Sequence, residues 1–240
     1  MGLEAGTKSF LAYTYCTSCH PFLSADVSAS VGYSKDCETC FWDDKRAVKW
    51  QVLGDRLPKG GNFLTRQLGR AIFRVFGWRV EGEFPNRGKA IVALVPHSSN
   101  IDFFLTIAFI WATGMKASFL IKHTVFWYPL GNIIRALGGI PVDRSQQNGL
   151  ITDVTRQFQE KSKFILGITP SGTRKPVKEW KDGIARIAAA AQVPIVPAVM
   201  NYRTRTISFA PLIEGMTEVR QIMERIRAEA ASGIPRLSYQ

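Results

Sequence analysis

His97 and Asp102 stand five positions apart in the run Val95-Pro96-His97-Ser98-Ser99-Asn100-Ile101-Asp102. A carboxylate within reach of one imidazole nitrogen leaves the other nitrogen as a base, able to take a proton from a hydroxyl. Whether the two meet depends on the flanking elements. Ala90-Ile91-Val92-Ala93-Leu94 is an apolar run that reads as a buried strand, and Ser98, Ser99 and Asn100 are turn and helix-cap types ahead of another apolar segment. His97 is thus expected at a strand end and Asp102 in the first turn of a helix. No serine or cysteine nucleophile stands in a suitable place, so a substrate hydroxyl is the simplest target. A surface histidine on a capped loop fits the same spacing, and the pair alone leaves both readings open.

From about residue 80 onward, short apolar runs alternate with helical patterns. Strands are expected near 90–95, 117–121, 140–142, 164–168, 193–199 and 206–209, with helices between several of them. This predicts an α/β fold with a mixed central sheet flanked by helices. A last helix near 217–230 places Val219, Ile222, Met223 and Ile226 on one face. Residues 62–78 read as a basic amphipathic helix. Leu64, Leu68, Ile72, Val75 and Phe76 fall near one face, and Arg66, Arg70 and Arg74 step along another. Such a helix can lie in a membrane interface, or it can dock on the domain with a solvated arginine face.

The chain has 240 residues, 46% of them hydrophobic, which is enough for one buried core and a small appendage. A formal charge of +12 suits nucleic acid, an anionic membrane or a phosphorylated substrate. No run reaches the ~18 apolar residues of a membrane span; the nearest, 103–115, is bracketed by Asp102 and Lys116 and reads as a buried or interfacial helix. No secretory signal is expected.

Residues 1–60 read as a small Cys-containing N-terminal arm that ends at the breaker Pro58-Lys59-Gly60-Gly61, leaving 61–240 as the main domain. Cys16, Cys19, Cys37 and Cys40 form two C-x-x-C pairs with zinc-ribbon spacing, so a structural zinc site is one reading. Cys16…Cys19-His20 also has the form of a c-type haem attachment, and disulfides would need an oxidising compartment. A poorly ordered extension with incidental cysteines remains a fourth reading. A zinc ribbon on a basic domain would suit a nucleic-acid binder.

Three further blocks follow His97. Gly138-Gly139-Ile140-Pro141-Val142-Asp143-Arg144 leads a strand into an Asp-Arg pair. Thr169-Pro170-Ser171-Gly172-Thr173-Arg174-Lys175 follows the expected strand 164–168 with a glycine turn and two cations. Val193-Pro194-Ile195-Val196-Pro197 is an apolar strand bounded by prolines. Cations that follow strand ends in an α/β sheet can converge on a ligand, and guanidinium groups suit phosphate oxygens. Each block alone is weak.

In this order, the four blocks resemble the glycerolipid acyltransferase family typified by the bacterial 1-acylglycerol-3-phosphate acyltransferase. The likeness runs over roughly residues 62–213 and rests on His97…Asp102, Gly139…Arg144, Ser171-Gly172-Thr173-Arg174 and Val193…Pro197. It implies a glycerol-3-phosphate acyltransferase-like fold and an O-acyltransferase of phospholipid biosynthesis. Acyl-CoA or acyl-carrier protein would be the donor and a lyso-glycerophospholipid the acceptor, with no catalytic cofactor and no nucleic acid. By the same resemblance, His97 is the general base and Asp102 orients it. Arg144 and Arg174 hold the acceptor phosphate beside Gly172 and Thr173, Lys122 assists, and Ile195 helps line the acyl site. Ser171 departs from the pattern, because the family usually has glutamate there; a weakened lipid-binding relative is therefore an alternative. The implied place of work is the cytoplasmic face of a membrane, held peripherally.

Overall fold

A strand buried on both faces reads as an unbroken apolar run, and Lys89–Val95 (β2) is such a strand, with Ala90, Ile91, Ala93 and Val95 almost wholly buried. The computed structural model describes residues 54–143, 147–173 and 180–236. In it β2 pairs in parallel with Phe164–Ile168 (β5) on one side and Ile195–Asn201 (β6) on the other. Ser118–Lys122 (β3) and Gly139–Val142 (β4) extend the sheet beyond β5. Thr206–Phe209 (β7) and Arg79–Glu81 (β1) extend it beyond β6. The order is β1-β7-β6-β2-β5-β3-β4, and the β6–β7 hairpin is its antiparallel pair. The mixed α/β sheet matches the expectation from sequence. β1 was not expected, because a three-residue edge strand with no buried side chain has no apolar period to show it.

Side-chain alternation along the strands separates two cores. Leu94, Ile165, Val196, Ala198, Met200 and Ile207 point to one face, and Ile91, Ala93, Val95, Leu166, Ile195 and Val199 to the other. The second face is covered by Gln147–Glu160 (α4), Gly183–Ala191 (α5) and Val219–Ala230 (α6). Asn100–Thr113 (α2) covers the first face. It is apolar on nearly all sides because Phe63–Phe76 (α1) packs on its outside. Leu130–Ala136 (α3) precedes β4. Among the described residues, no helix is long and apolar enough to cross a membrane.

Helix α1 starts at a reciprocal cap: Asn62 Oδ1 accepts from Thr65 N and Thr65 Oγ1 accepts from Asn62 N, each at 2.9 Å. It stops at Gly77, in the left-handed region at φ 65°, while Trp78 N closes back on Phe73 O. Its docked side is small: Gly69 and Phe73 are buried, whereas Leu64, Leu68 and Val75 are exposed. The helix therefore docks through a narrow strip and turns much of its apolar surface outward.

The breaker at 58–61 does not act as a free linker. Leu57 is buried, Gly60 N donates to Gly114 O and Lys116 N to Pro58 O, both at 2.8 Å. Residues 57–60 thus pack against the segment 114–116 and the core.

Gly69 lets the two helices approach. A Cβ there would lie 2.4 Å from Ala112 N and 2.5 Å from Ala108 O, both rigid backbone. Alanine is the better helix former by about 1 kcal/mol, but overpacking costs about 1–3 kcal/mol. Gly69→Ala is expected to lower the urea midpoint despite its helix propensity; an unchanged or raised midpoint would show that α1 is free to shift.

Candidate active site

The β2–α2 turn lies where open α/β sheets bind ligands, beyond the carboxyl ends of parallel strands. Ser99 is the N-cap of α2 and its Oγ accepts from Ile101 N at 3.2 Å. Asp102, in the third helical position, returns the contact: its Oδ2 accepts from Ser99 N at 2.9 Å and from Ser98 N at 2.7 Å. The anion also gains from the positive end of the helix dipole. Its other oxygen, Oδ1, accepts a short hydrogen bond from the Tyr202 hydroxyl. Asp102 is fully buried.

Burial pushes the Asp102 carboxyl up, but hydrogen bonds from His97, Tyr202, Ser99 and Ser98 more than offset it, holding the group below the ordinary carboxylate value. Tyr202 moves far the other way: burial, then the neighbouring anion, keep its phenol protonated and donating. His97 Nδ1 lies 3.1 Å from Asp102 Oδ2. That nitrogen is buried and finds no squarely aligned partner, so the contact is close in distance and off-line in angle. With Nδ1 turned to the carboxylate, Nε2 is the edge of the ring left for chemistry.

His97 lines a cavity of about 790 Å³. Val92 and Leu94 of β2, Phe119 of β3, Gly167 of β5, Ala198 of β6 and Phe209 of β7 form its floor, with α2 and α3 as walls. The lining is largely aliphatic and aromatic. Gly167 makes room in that floor, since a Cβ there would lie 2.7 Å from the Phe119 ring. Within that lining Phe84 and Phe209 meet edge to face at 5.2 Å, and Phe109 stands 5.3 Å from Phe209. Phe104 and Ile133 line the cavity yet remain 67% and 56% exposed, so they belong to its rim.

Lys122, exposed at the end of β3, lines the same cavity, as do Gly172 and Thr173. Gly172 has φ 61° and its N–H closes on Thr169 O at 3.0 Å, so the turn requires a left-handed residue at that position. Ser171 is not part of the cavity wall; its hydroxyl donates to Thr173 O at 2.8 Å and steadies the same turn. Gly138 and Gly139 have a packing role, because a Cβ on Gly138 would come 2.2 Å from Ala117 O.

Ile195, which the resemblance assigns to the acyl site, does not line this cavity. It is 1% exposed at the start of β6, on the face covered by α5 and α6. Strand alternation sends Ala198 to the cavity instead. Arg144, Arg174 and the four cysteines Cys16, Cys19, Cys37 and Cys40 lie outside the described residues.

Tyr202 was missed in the sequence. It belongs to no motif and lies a hundred positions from Asp102, so local spacing carries no sign of it. A buried carboxylate calls for donors on both oxygens, yet only the fold says which residue supplies the second.

No curated protein is detectably similar to the chain. Among solved structures, the 1-acyl-sn-glycerophosphate (LPA) acyltransferase PlsC from Thermotoga maritima has a similar fold, with a TM-score of 0.51 and 17% identity. The likeness covers 74% of this chain and 80% of that one. Residues 77–201 match the Acyltransferase family. That span is more than half of the chain and contains the turn from His97 to Asp102, Lys122 and the glycine turn at 172. The His97–Asp102 pair beside an apolar cavity accords with the family match, and the chain belongs to the acyltransferase family.

Proposed function

We propose that the protein moves an acyl chain from a thioester, acyl-CoA or acyl-carrier protein, to the free hydroxyl of a lyso-glycerophospholipid in phospholipid biosynthesis. The observation that carries this reading is the opening of the His97–Asp102 pair onto an apolar cavity of about 790 Å³. Ligand pockets commonly enclose roughly 300–1,000 Å³, and a lining so poor in polar groups suits a hydrocarbon chain. The acceptor class draws support from the PlsC fold neighbour, named as an acyltransferase of 1-acyl-sn-glycerophosphate.

In this mechanism the acceptor hydroxyl oxygen attacks the thioester carbonyl while His97 Nε2 takes the hydroxyl proton. The C–S bond breaks and the same proton passes to the departing thiolate, which leaves as a thiol. Asp102 holds Nδ1 and stabilises the transient imidazolium. Lys122 stands at the cavity with its ammonium available to a phosphate. Arg144, directly after Asp143, and Arg174, directly after Thr173, are assigned the acceptor phosphate by their places in the motifs. Ser171 in place of a carboxylate motivates a second reading, a weakened lipid-binding relative.

The proposed place of work is a membrane surface, on the cytoplasmic face and held peripherally. Leu64, Leu68 and Val75 on α1 are exposed, and Trp127 and Tyr128, which lie in sequence between the cavity-lining residues Val125 and Leu130, are 61% and 83% exposed. Aromatic rings of this kind favour the headgroup level, and a net charge of +12 favours anionic lipid.

A panel of lyso-lipid acceptors with an acyl thioester tests the activity. Wild type is expected to esterify at least one acceptor, and His97→Ala to lose about 10²–10⁴-fold in kcat while staying folded. Esterification no greater than the His97→Ala background would remove the enzyme reading and leave the lipid-binding one.

Asp102 has a second, pH-dependent signature. Its folded carboxyl is held below the ordinary value, so it stabilises the fold above the carboxylate range and stops doing so as pH falls through the folded value. Asp102→Asn should be less stable than wild type at pH 7, with the gap in urea midpoint narrowing toward about pH 3. A gap independent of pH would contradict the assignment.

Vesicle pelleting checks the membrane face. Wild type should sediment with anionic vesicles in preference to zwitterionic ones, and Leu64→Glu with Leu68→Glu should weaken binding about tenfold or more, since each buried leucine is worth about 1.5–3 kcal/mol. Unaltered sedimentation of the double variant would exclude α1 from the contact.

A further inference from the structure

We propose that Tyr202, with the C-terminal strap 233–236 behind it, is a positioning residue for acyl transfer that locks the Asp102 carboxylate against rotation and so aims His97. The inference rests on the proposed general-base role of His97 and adds residues that lie beyond the matched family span 77–201.

The two oxygens of Asp102 are held very unequally. Oδ2 serves Ser98 N, Ser99 N and His97 Nδ1, all from its own turn. Oδ1 is held by Tyr202. A turn about the Asp102 Cβ–Cγ bond would carry Oδ2 away from the imidazole and off both amides, and those amides resist it from one side only. The Tyr202 hydroxyl closes that freedom because it comes from a different strand end. Its ring is in turn fixed edge to face against buried Trp78, with centroids 4.9 Å apart.

Tyr202 is held from behind as well. After α6 the chain turns and lays Ile234 beside the end of β6: Ile234 N donates to Met200 O at 3.1 Å, and Tyr202 N donates to Ile234 O at 3.0 Å. Gly233 rests on the turn that carries His97, where a Cβ would come 2.5 Å from Pro96 Cδ. Arg236 then reaches the same turn twice. Its backbone N–H donates to Ser98 Oγ at 2.9 Å and its Nη1 to Ser99 Oγ at 3.2 Å. The serines whose amides grip Asp102 Oδ2 thus have their hydroxyls gripped by the strap, while Tyr202 holds Oδ1. The base is aimed by residues about 100 and 140 positions downstream in sequence.

None of these groups lines the cavity, so their loss should act on kcat and leave substrate binding alone. A hydrogen bond to a charged group is worth about tenfold to hundredfold in an equilibrium or rate. Tyr202→Phe in the full chain is expected to lower kcat about tenfold to hundredfold, with KM for thioester and acceptor within about twofold of wild type. Arg236→Ala, at a less buried position, should lower kcat about threefold to tenfold in the same pattern. It decides the matter if Tyr202→Phe does not fold. In a double-mutant cycle Tyr202→Phe should cost nothing further in an Asp102→Asn background, since it acts through that carboxylate. A kcat within twofold of wild type, a rise in KM of similar size to the fall in kcat, or additive losses would each overturn the proposal.

A second measurement does not need turnover. In 15N-histidine NMR spectra, with His97 assigned by His97→Ala, wild type should show the tautomer protonated at Nδ1, with a downfield proton that broadens or moves upfield in Tyr202→Phe. An unchanged His97 signal overturns the positioning role. If wild type esterifies no acceptor while the His97 signal still responds to Tyr202, the positioning stands and the proposed activity falls.

Discussion

One buried negative charge organises this molecule. Asp102 has no contact with solvent, and an ionised carboxylate is tolerated there only if hydrogen bonds replace its lost water. Two backbone amides and a phenol take that part, with the His97 imidazole 3.1 Å away, and they arrive from the β2–α2 turn and the far end of β6. The sheet order brings these groups together. β2 and β6 must be neighbours, with Val95 opposite Val199, so that the chains leaving them reach one point.

Beside this polar knot the first core is deliberately incomplete. The face of the sheet under α2 carries small residues, Gly167 and Ala198, where larger ones would fill the space. Aromatic rings from β3, β7 and α2 wall the resulting cavity and keep it apolar. The His97–Asp102 pair thus has a dense hydrogen-bond set around its carboxylate on one side and an apolar cavity on the other. In the proposed reaction that cavity takes the hydrocarbon chain, with His97 at its polar edge. The opposite face, under α4, α5 and α6, forms the second apolar core.

Much of the fold was legible because its central strands are buried on both faces and read as continuous apolar runs. β1 was not, since its place at the edge is set by pairing with β7 and leaves no hydrophobic pattern. Pro58-Lys59-Gly60-Gly61 reads as a linker by composition, yet pairs with residues 114–116. Ile195 shows a subtler limit. The apolar strand was recognised, but one step of side-chain alternation decides whether a residue meets the cavity or the opposite core, and register comes from the neighbours. The amphipathicity of α1 was evident from its arginines and leucines; that the leucines face outward depends on Gly69 and Phe73 taking the contact with α2.

By itself, the sequence determined the local chemistry: a histidine and an aspartate joined by a capping turn, a glycine turn after β5, and an apolar α/β pattern. These are legible because caps, turns and periodicity act over a few residues. Only the tertiary structure decided that the turn opens on a cavity, that Ala198 and not Ile195 lines it, and that Tyr202 and Arg236 close around the buried carboxylate. Those pairings join residues about a hundred or more apart, through strand order and register that no local rule contains.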